Sequence, residues 1–138
     1  MALDLGTKTI GVAVSDGTGL IARGVETIRR QGNIKDFKRL SEIIQLEEVS
    51  SIVVGYPKNM NGSIGERAKA SEAYSQELTK HFPELKIVLW DERLSTVAAE
   101  KVLVAADMQR KKRRKIIDMM AAVVILQNYL DSQGRGKA

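Results

Sequence analysis

The chain opens on two apolar runs, Ala2 to Leu5 and Ile10 to Val14, joined only by Gly6-Thr7-Lys8-Thr9. So short a link cannot carry a crossover, so the runs must lie side by side as an antiparallel pair, and everything that follows has to pack on them. Asp4 sits inside the first run, where an unpaired charge is costly. A carboxylate is tolerated on a core strand when something cationic neutralises it, so the sequence poses the question of what that cation is.

The rest of the chain extends this pair. Asp16-Gly-Thr-Gly19 reads as a turn, and Leu20 to Arg29 as a third strand of a meander. Asn33 is placed to cap a helix to about Glu47, with Phe37, Leu40, Ile43, Ile44 and Leu46 on its apolar face. Ser51 to Tyr56, with the unbroken Ile52-Val-Val54, reads as a buried strand. Pro57 to Gly62 makes a loop, and Ser63-Ile-Gly-Glu66 has the spacing of a capping box that opens a helix to about His81. Lys86 to Trp90 is the next buried strand and ends in Asp91-Glu92-Arg93. Ser95 can cap a helix through about Ala105. Asp107 to Lys115 breaks the pattern, and Arg110 to Lys115 is expected to be mobile without a ligand. Ile116 to Leu130 is apolar nearly all round, a well-covered helix, and Asp131 to Ala138 reads as a frayed tail. The expectation is one α/β domain over residues 1–130, with helices on both faces of a mixed sheet.

Composition removes several chemistries. A hydrophobic share of 43% in 138 residues supports a real core without staples. With no Cys there are no disulfides, thiolate metal sites or Cys nucleophiles, and with His81 alone no usual zinc set can be assembled. His81 lies at the polar end of a helix beside Phe82 and Pro83, a structural setting. No apolar run reaches the length of a membrane span, and no cleavable leader is visible, so the chain is expected to be soluble and cytoplasmic, without a membrane partner. The net charge of +5 is smaller than the charge of Arg110-Lys111-Lys112-Arg113-Arg114-Lys115 alone, so the basicity is local. Such a run is either solvated or a polyanion contact. Six scattered aromatics give no base-stacking platform, so any nucleic acid would be held through its backbone and shape.

What remains for chemistry is acid. Asp4 lies on the first strand, Asp91 and Glu92 end the last strand, and Asp118 is the only charge between Ile116 and Tyr129, with the small Ala121 and Ala122 three and four residues on. Singly, each has a plain reading: a turn acid, an ion pair of Glu92 with Arg93, or a pair of Asp118 with Arg114. Jointly, three elements of one sheet each bring an acid into apolar sequence. Carboxylates held close repel unless cations neutralise them, and hard oxygen ligands select Mg²⁺ or Mn²⁺. A carboxylate cluster holding such ions beside a basic segment is the apparatus of two-metal phosphodiester hydrolysis.

These residues also carry a resemblance. Asp4-Leu-Gly-Thr-Lys-Thr-Ile-Gly-Val-Ala-Val-Ser-Asp16, Gly55-Tyr-Pro57 with Asn61-Gly-Ser63, Asp91-Glu-Arg-Leu-Ser-Thr96, and the basic run leading to Asp118-Met-Met-Ala-Ala122 resemble the YqgF/RuvX family over about residues 3 to 130. The resemblance implies a ribonuclease H-like fold: a three-strand antiparallel meander plus two parallel strands, with helices on both faces. It implies a metal-dependent nuclease that matures the 5′ end of pre-16S rRNA or resolves Holliday junctions in DNA, using Mg²⁺ or Mn²⁺. It puts the catalytic and metal-binding acids at Asp4, Glu92 and Asp118, preferring Glu92 to Asp91, a choice that spacing in an apolar strand leaves open. Only three residues precede Asp4, fewer than the family's first strand usually has, so that strand is expected to be less firmly paired.

Supporting nucleic-acid contacts are expected from Lys8 on the first turn, from Asn61, Gly62 and Ser63 through N–H groups at a helix start, from Arg93, and from Arg110 to Lys115. A resolvase would also have to be a homodimer, because it cuts symmetrically. Two competing readings are a nucleic-acid-binding factor that does not cleave, and a sugar kinase or actin-like ATPase, whose phosphate loop also resembles Asp4-Leu-Gly-Thr7. The second needs two domains closing on ATP, which this length does not provide.

Overall fold

The computed structural model describes residues 1–59, 61–91 and 110–135. Its elements are β1 (Ala2–Leu5), β2 (Thr9–Ser15), β3 (Ala22–Arg29), α1 (Asn33–Leu46), β4 (Ser51–Tyr56), α2 (Glu66–His81), β5 (Lys86–Asp91) and α3 (Arg110–Arg135). The five strands form one sheet in the order β3-β2-β1-β4-β5. β1, β2 and β3 are antiparallel neighbours, while β4 and β5 run parallel to β1, which is the mixed sheet of the ribonuclease H-like fold. The helix expected over Ser95 to Ala105 lies outside the described residues.

The sheet has two different faces. Leu3, Ile10, Val12, Val14, Ile28, Ile52 and Val54 point to one side, where Phe37, Leu40, Ile43, Tyr74, Leu78 and Phe82 of the α1–α2 layer meet them. Ala2, Ala13 and Val53 point to the other side and pack on Ala121, Ala122, Ile125 and Leu126 of α3. The first face is built from branched side chains; the second is largely alanine on alanine, which brings α3 close to the sheet. His81 stacks with Phe37 and Phe82 at 5.0 and 4.7 Å between centroids, the structural role its setting implied.

β1 is not weakly paired. It is the central strand, joined to β2 over four residue pairs and to β4 in parallel, and Met1 extends the parallel ladder by accepting the Val53 N–H at 2.8 Å. Strand length matters less here than having a partner on each edge.

Four boundaries differ from those the sequence implied, each for a local reason. β3 starts at Ala22, because Leu20 and Ile21 are taken up by the hairpin turn that the Asp16 carboxylate organises. Asn33 is the first helical residue of α1, not its cap: Gly32 holds the cap position at φ 108°, and Asp36 reaches back to accept the Gln31 N–H at 3.0 Å. The capping box at Ser63 does not form. Its hydroxyl donates to Asn61 Oδ1 at 2.6 Å and accepts from Asn59 Nδ2 at 2.9 Å, and α2 begins after Gly65. Finally, α3 includes the basic run and continues to Arg135, so residues 110–115 and 131–135 are helical, while residues 107–109 and 136–138 of the expected break and tail lie outside the described residues. Lys and Arg are good helix formers, and no Pro or Gly interrupts residues 110–133. β5, expected to be buried, is a half-buried edge strand with Lys86 and Leu89 exposed.

Candidate active site

Asp4 is buried, 6% exposed, on the α3 side of the sheet. Strand alternation fixes the side: Ala2 packs on α3 and Leu3 on the opposite layer, so Asp4 returns to the α3 face. Its partner on β2 is Gly11, which in turn pairs with Thr27 on β3. The β1–β4 register, with Leu3 beside Val54, sets Gly55 next to Asp4 when continued by one residue, and Gly55 pairs with Trp90 on β5. One row across the sheet therefore reads Thr27, Gly11, Asp4, Gly55, Trp90. The carboxylate is flanked on both sides by residues without a side chain, and at the end of the row Trp90 meets Tyr129 of α3 edge-on, 5.4 Å between centroids.

α3 runs over this row in the sense opposite to β1. Gln127 bonds Ala22 and Leu20 at 2.9 Å each, near the start of β3, and Leu126 and Tyr129 share a cavity wall with Met1, Ser15 and Val53, near the start of β1. Ala121 and Ala122 sit against Ala2 and Ala13. Going back four residues from Ala122, about 6 Å, reaches Asp118. Going from Ala2 to Asp4 along β1 covers about 6.6 Å in the same direction. The two steps match, so the backbone carries residues 4 and 118 to the same end of the sheet on the same side.

The third acid is placed differently. Asp91 pairs with Tyr56, whose hydroxyl donates to Glu72 on α2, so Asp91 lies on the α2 side and not with Asp4. That register, hidden in the sequence, removes Asp91 from the Asp4 face. Glu92 and Arg93 lie outside the described residues. Among the described residues no three His, Cys, Asp or Glu side chains converge on a metal-sized space.

The turn after β1 is built by arginines that sequence reasoning did not single out. Gly6 N–H donates to Thr9 O at 2.8 Å and closes the turn that exposes Lys8. Arg30 Nη1 donates to Gly6 O at 2.8 Å, and its backbone N–H to Lys8 O at 2.9 Å. Arg67, in the first turn of α2, places Nη2 3.4 Å from Leu5 O. No spacing rule links residues 30 and 67 to residues 5 and 6; only the topology does.

The loop after β4 is closed on itself. The Ser63 N–H donates to Asn61 Oδ1 at 3.0 Å and the Gly62 N–H to Asn59 O at 2.8 Å, so two of the three N–H groups expected to face a phosphate are taken within the loop. Asp16, inside the family motif, stands at the far end of β2 and accepts from Thr18, Leu20 and Ile21, a turn role. The residues 110–115 form the first described turns of α3, and six successive helical positions pass more than once around the axis, so the basic run is a collar and not a stripe.

Comparison with known proteins finds relatives over nearly the whole chain. Residues 1–132 match the model of the RuvX family, described as Holliday junction resolvase. The chain is 60% identical over 135 residues to a candidate pre-16S rRNA nuclease of Geobacillus kaustophilus, covering 96% of this chain and 97% of the relative. A protein of the same name from Staphylococcus carnosus is 53% identical over 134 residues, with 96% and 94% covered. One from Halalkalibacterium halodurans is 52% identical over 135 residues, with 96% of each chain covered.

Proposed function

The chain belongs to the RuvX family, and from that premise we propose that it is a nuclease that hydrolyses phosphodiester bonds of pre-16S rRNA with the help of Mg²⁺ or Mn²⁺. The observation that carries the reading is the buried Asp4 carboxylate between Gly11 and Gly55, on the face crossed by the helix of Asp118. A buried acid between two glycines fits a divalent cation better than it fits a packed core. Asp4, Glu92 and Asp118 would hold the metal, which supplies Lewis acidity for attack on the phosphorus and for departure of the leaving oxygen.

The chain's own part is positioning. β1 fixes Asp4 from both edges, α3 crosses the same face of the sheet, and the alanine contact keeps helix and strand from drifting apart. Lys8, Arg93 and the collar at residues 110–115 attract and align the phosphate backbone.

The test offers wild type, Asp4→Asn and Asp118→Asn a 5′-extended precursor of small-subunit rRNA and a four-way DNA junction, each with Mg²⁺, Mn²⁺ or chelator. Metal-dependent cleavage of the RNA, reduced more than about a hundredfold in either variant, is expected. Preference for the junction would favour the reaction in the family's description, and a wild type that binds RNA but cuts neither substrate would favour a non-cleaving factor. Efficient cleavage by Asp118→Asn would overturn the site.

A further inference from the structure

We infer that the turn over residues 6–9 presents Lys8 and Arg67 as a seat for a backbone phosphate of the substrate strand, one step along from Asp4. The inference deepens the nuclease reading above and rests on it. Arg67 arrives from α2, more than sixty residues away in sequence, and its guanidinium reaches Leu5 O, the carbonyl directly after Asp4. Arg30 arrives from the end of β3 and holds the next carbonyl, Gly6 O, while its guanidinium carbon lies 5.6 Å from the centre of the Tyr74 ring. Two arginines thus converge on consecutive carbonyls where the Asp4 strand leaves the sheet.

They do different work. Arg30 is half-buried, spends its backbone N–H on Lys8 O and one guanidinium nitrogen on Gly6 O, and is backed by an aromatic ring, so it holds the turn in shape. Arg67 is exposed and uses a single long contact, which leaves most of its five N–H donors facing solvent beside the turn. Lys8 is exposed at the tip. Among the described residues, none of the ion pairs includes Lys8, Arg30 or Arg67, while Glu26, Glu42, Glu47 and Glu77 pair with other cations. Three positive charges outside those pairs, around one turn and next to a buried acid, form a local anion site whose geometry is set by main-chain carbonyls. A diester phosphate neighbouring the scissile one fits it: its singly charged oxygens accept charge-assisted hydrogen bonds from a guanidinium and an ammonium without needing sequence-specific contacts.

The test measures binding and cleavage separately. The full chain is titrated by fluorescence anisotropy against a labelled RNA hairpin with a single-stranded 5′ extension, in chelator, at several salt concentrations. Arg67→Ala should weaken binding about tenfold, and Arg67→Ala with Lys8→Ala should weaken it further and make the salt dependence shallower by about one phosphate contact. Arg67→Lys should recover part of the affinity. The unfolding midpoint of Arg67→Ala should stay at the wild-type value, because the side chain is exposed. A double variant with wild-type affinity and slope overturns the seat. If the wild type binds the hairpin without cutting it in Mg²⁺ or Mn²⁺, the nuclease reading falls while the affinity loss still establishes the seat; if it binds no RNA, both fall.

Discussion

Asp4 and Gly11 stand opposite each other across the β1–β2 pair, so the nearest cross-strand neighbour of a buried carboxylate is a bare α-carbon. Side chains at such paired positions have Cβ atoms about 4.5–5.5 Å apart, and a methyl at residue 11 would enter the space beside the acid. Gly11→Ala should therefore lower cleavage at a fixed Mg²⁺ concentration by roughly tenfold or more, with a smaller effect on folding. A variant that cuts at the wild-type rate across a metal titration would show that the glycine is not what admits the ion.

Gly24 makes a comparable allowance for α3. A Cβ there would lie 2.6 Å from both Cγ and Sδ of Met119, and β3 is already irregular beside it, at the register shift between Val12 and Ala13. Gly24→Ala is expected to cost about 1–2 kcal/mol, a fall of several degrees in unfolding midpoint, because a flexible Met can yield but the helix must shift with it. In a thermal-melt cycle with Met119→Ala, the double variant should be less destabilised than the sum of the two singles.

The Asp16 carboxyl is held below its ordinary 3.8, first by the Thr18 hydroxyl and then by the N–H groups of Ile21, Leu20 and Thr18, against a smaller opposing effect of desolvation. A depressed folded value means that its contribution to stability is complete above the unfolded value and is lost as pH falls through the folded one. Carbon-detected NMR titration should show Asp16 of Thr18→Ala moving up toward 3.8. No movement would mean that the hydroxyl does not bond the carboxylate in solution.

Tyr56 is pushed up to about 12, chiefly by its hydrogen bond to Glu72, with burial and the Glu72 charge adding to it. Folding therefore retains the phenolic proton more tightly than the unfolded chain does, so this contribution is intact below about 10 and disappears as pH rises toward 12. Glu72→Gln should bring Tyr56 down by removing both the carboxylate acceptor and its charge. An ultraviolet titration with the Tyr56→Phe difference as reference would read it, and an unshifted curve would contradict the bond.

The collar at residues 110–115 leads to a distinct expectation. Replacing Lys111, Lys112 and Arg113 by Ala should weaken RNA binding and flatten its salt dependence by up to about three contacts, while helicity stays constant because Ala is the best helix former. An unchanged slope would identify the collar as a merely solvated segment.

The meander, the buried β4 and the apolar helix over Asp118 were legible because hydrophobic periodicity records which side of an element is covered. Caps were less legible. Ser63 has the right spacing for a box, yet Asn59 and Asn61 compete for its hydroxyl, and the cap expected of Asn33 is held by Gly32, without a side-chain bond. Within the candidate site, Asp4 announced itself as a charge in an apolar run. The exclusion of Asp91 from its face did not, because that depends on the pairing of Tyr56 with Asp91, a relation between strands and not within one. Arg30 and Arg67 were invisible for the same reason: surface arginines look alike in sequence until the topology brings two of them to neighbouring carbonyls.

The central position of β1 determines how the site can be disturbed over time. An amide on that strand is shielded by ladders on both edges, so exchange at Leu3 and Asp4 should report the opening of the whole sheet, while β5, on one edge, exchanges through cheaper excursions. The acid at residue 4 is therefore on the slowest clock in the molecule, and any control over activity must come from the partners that approach it.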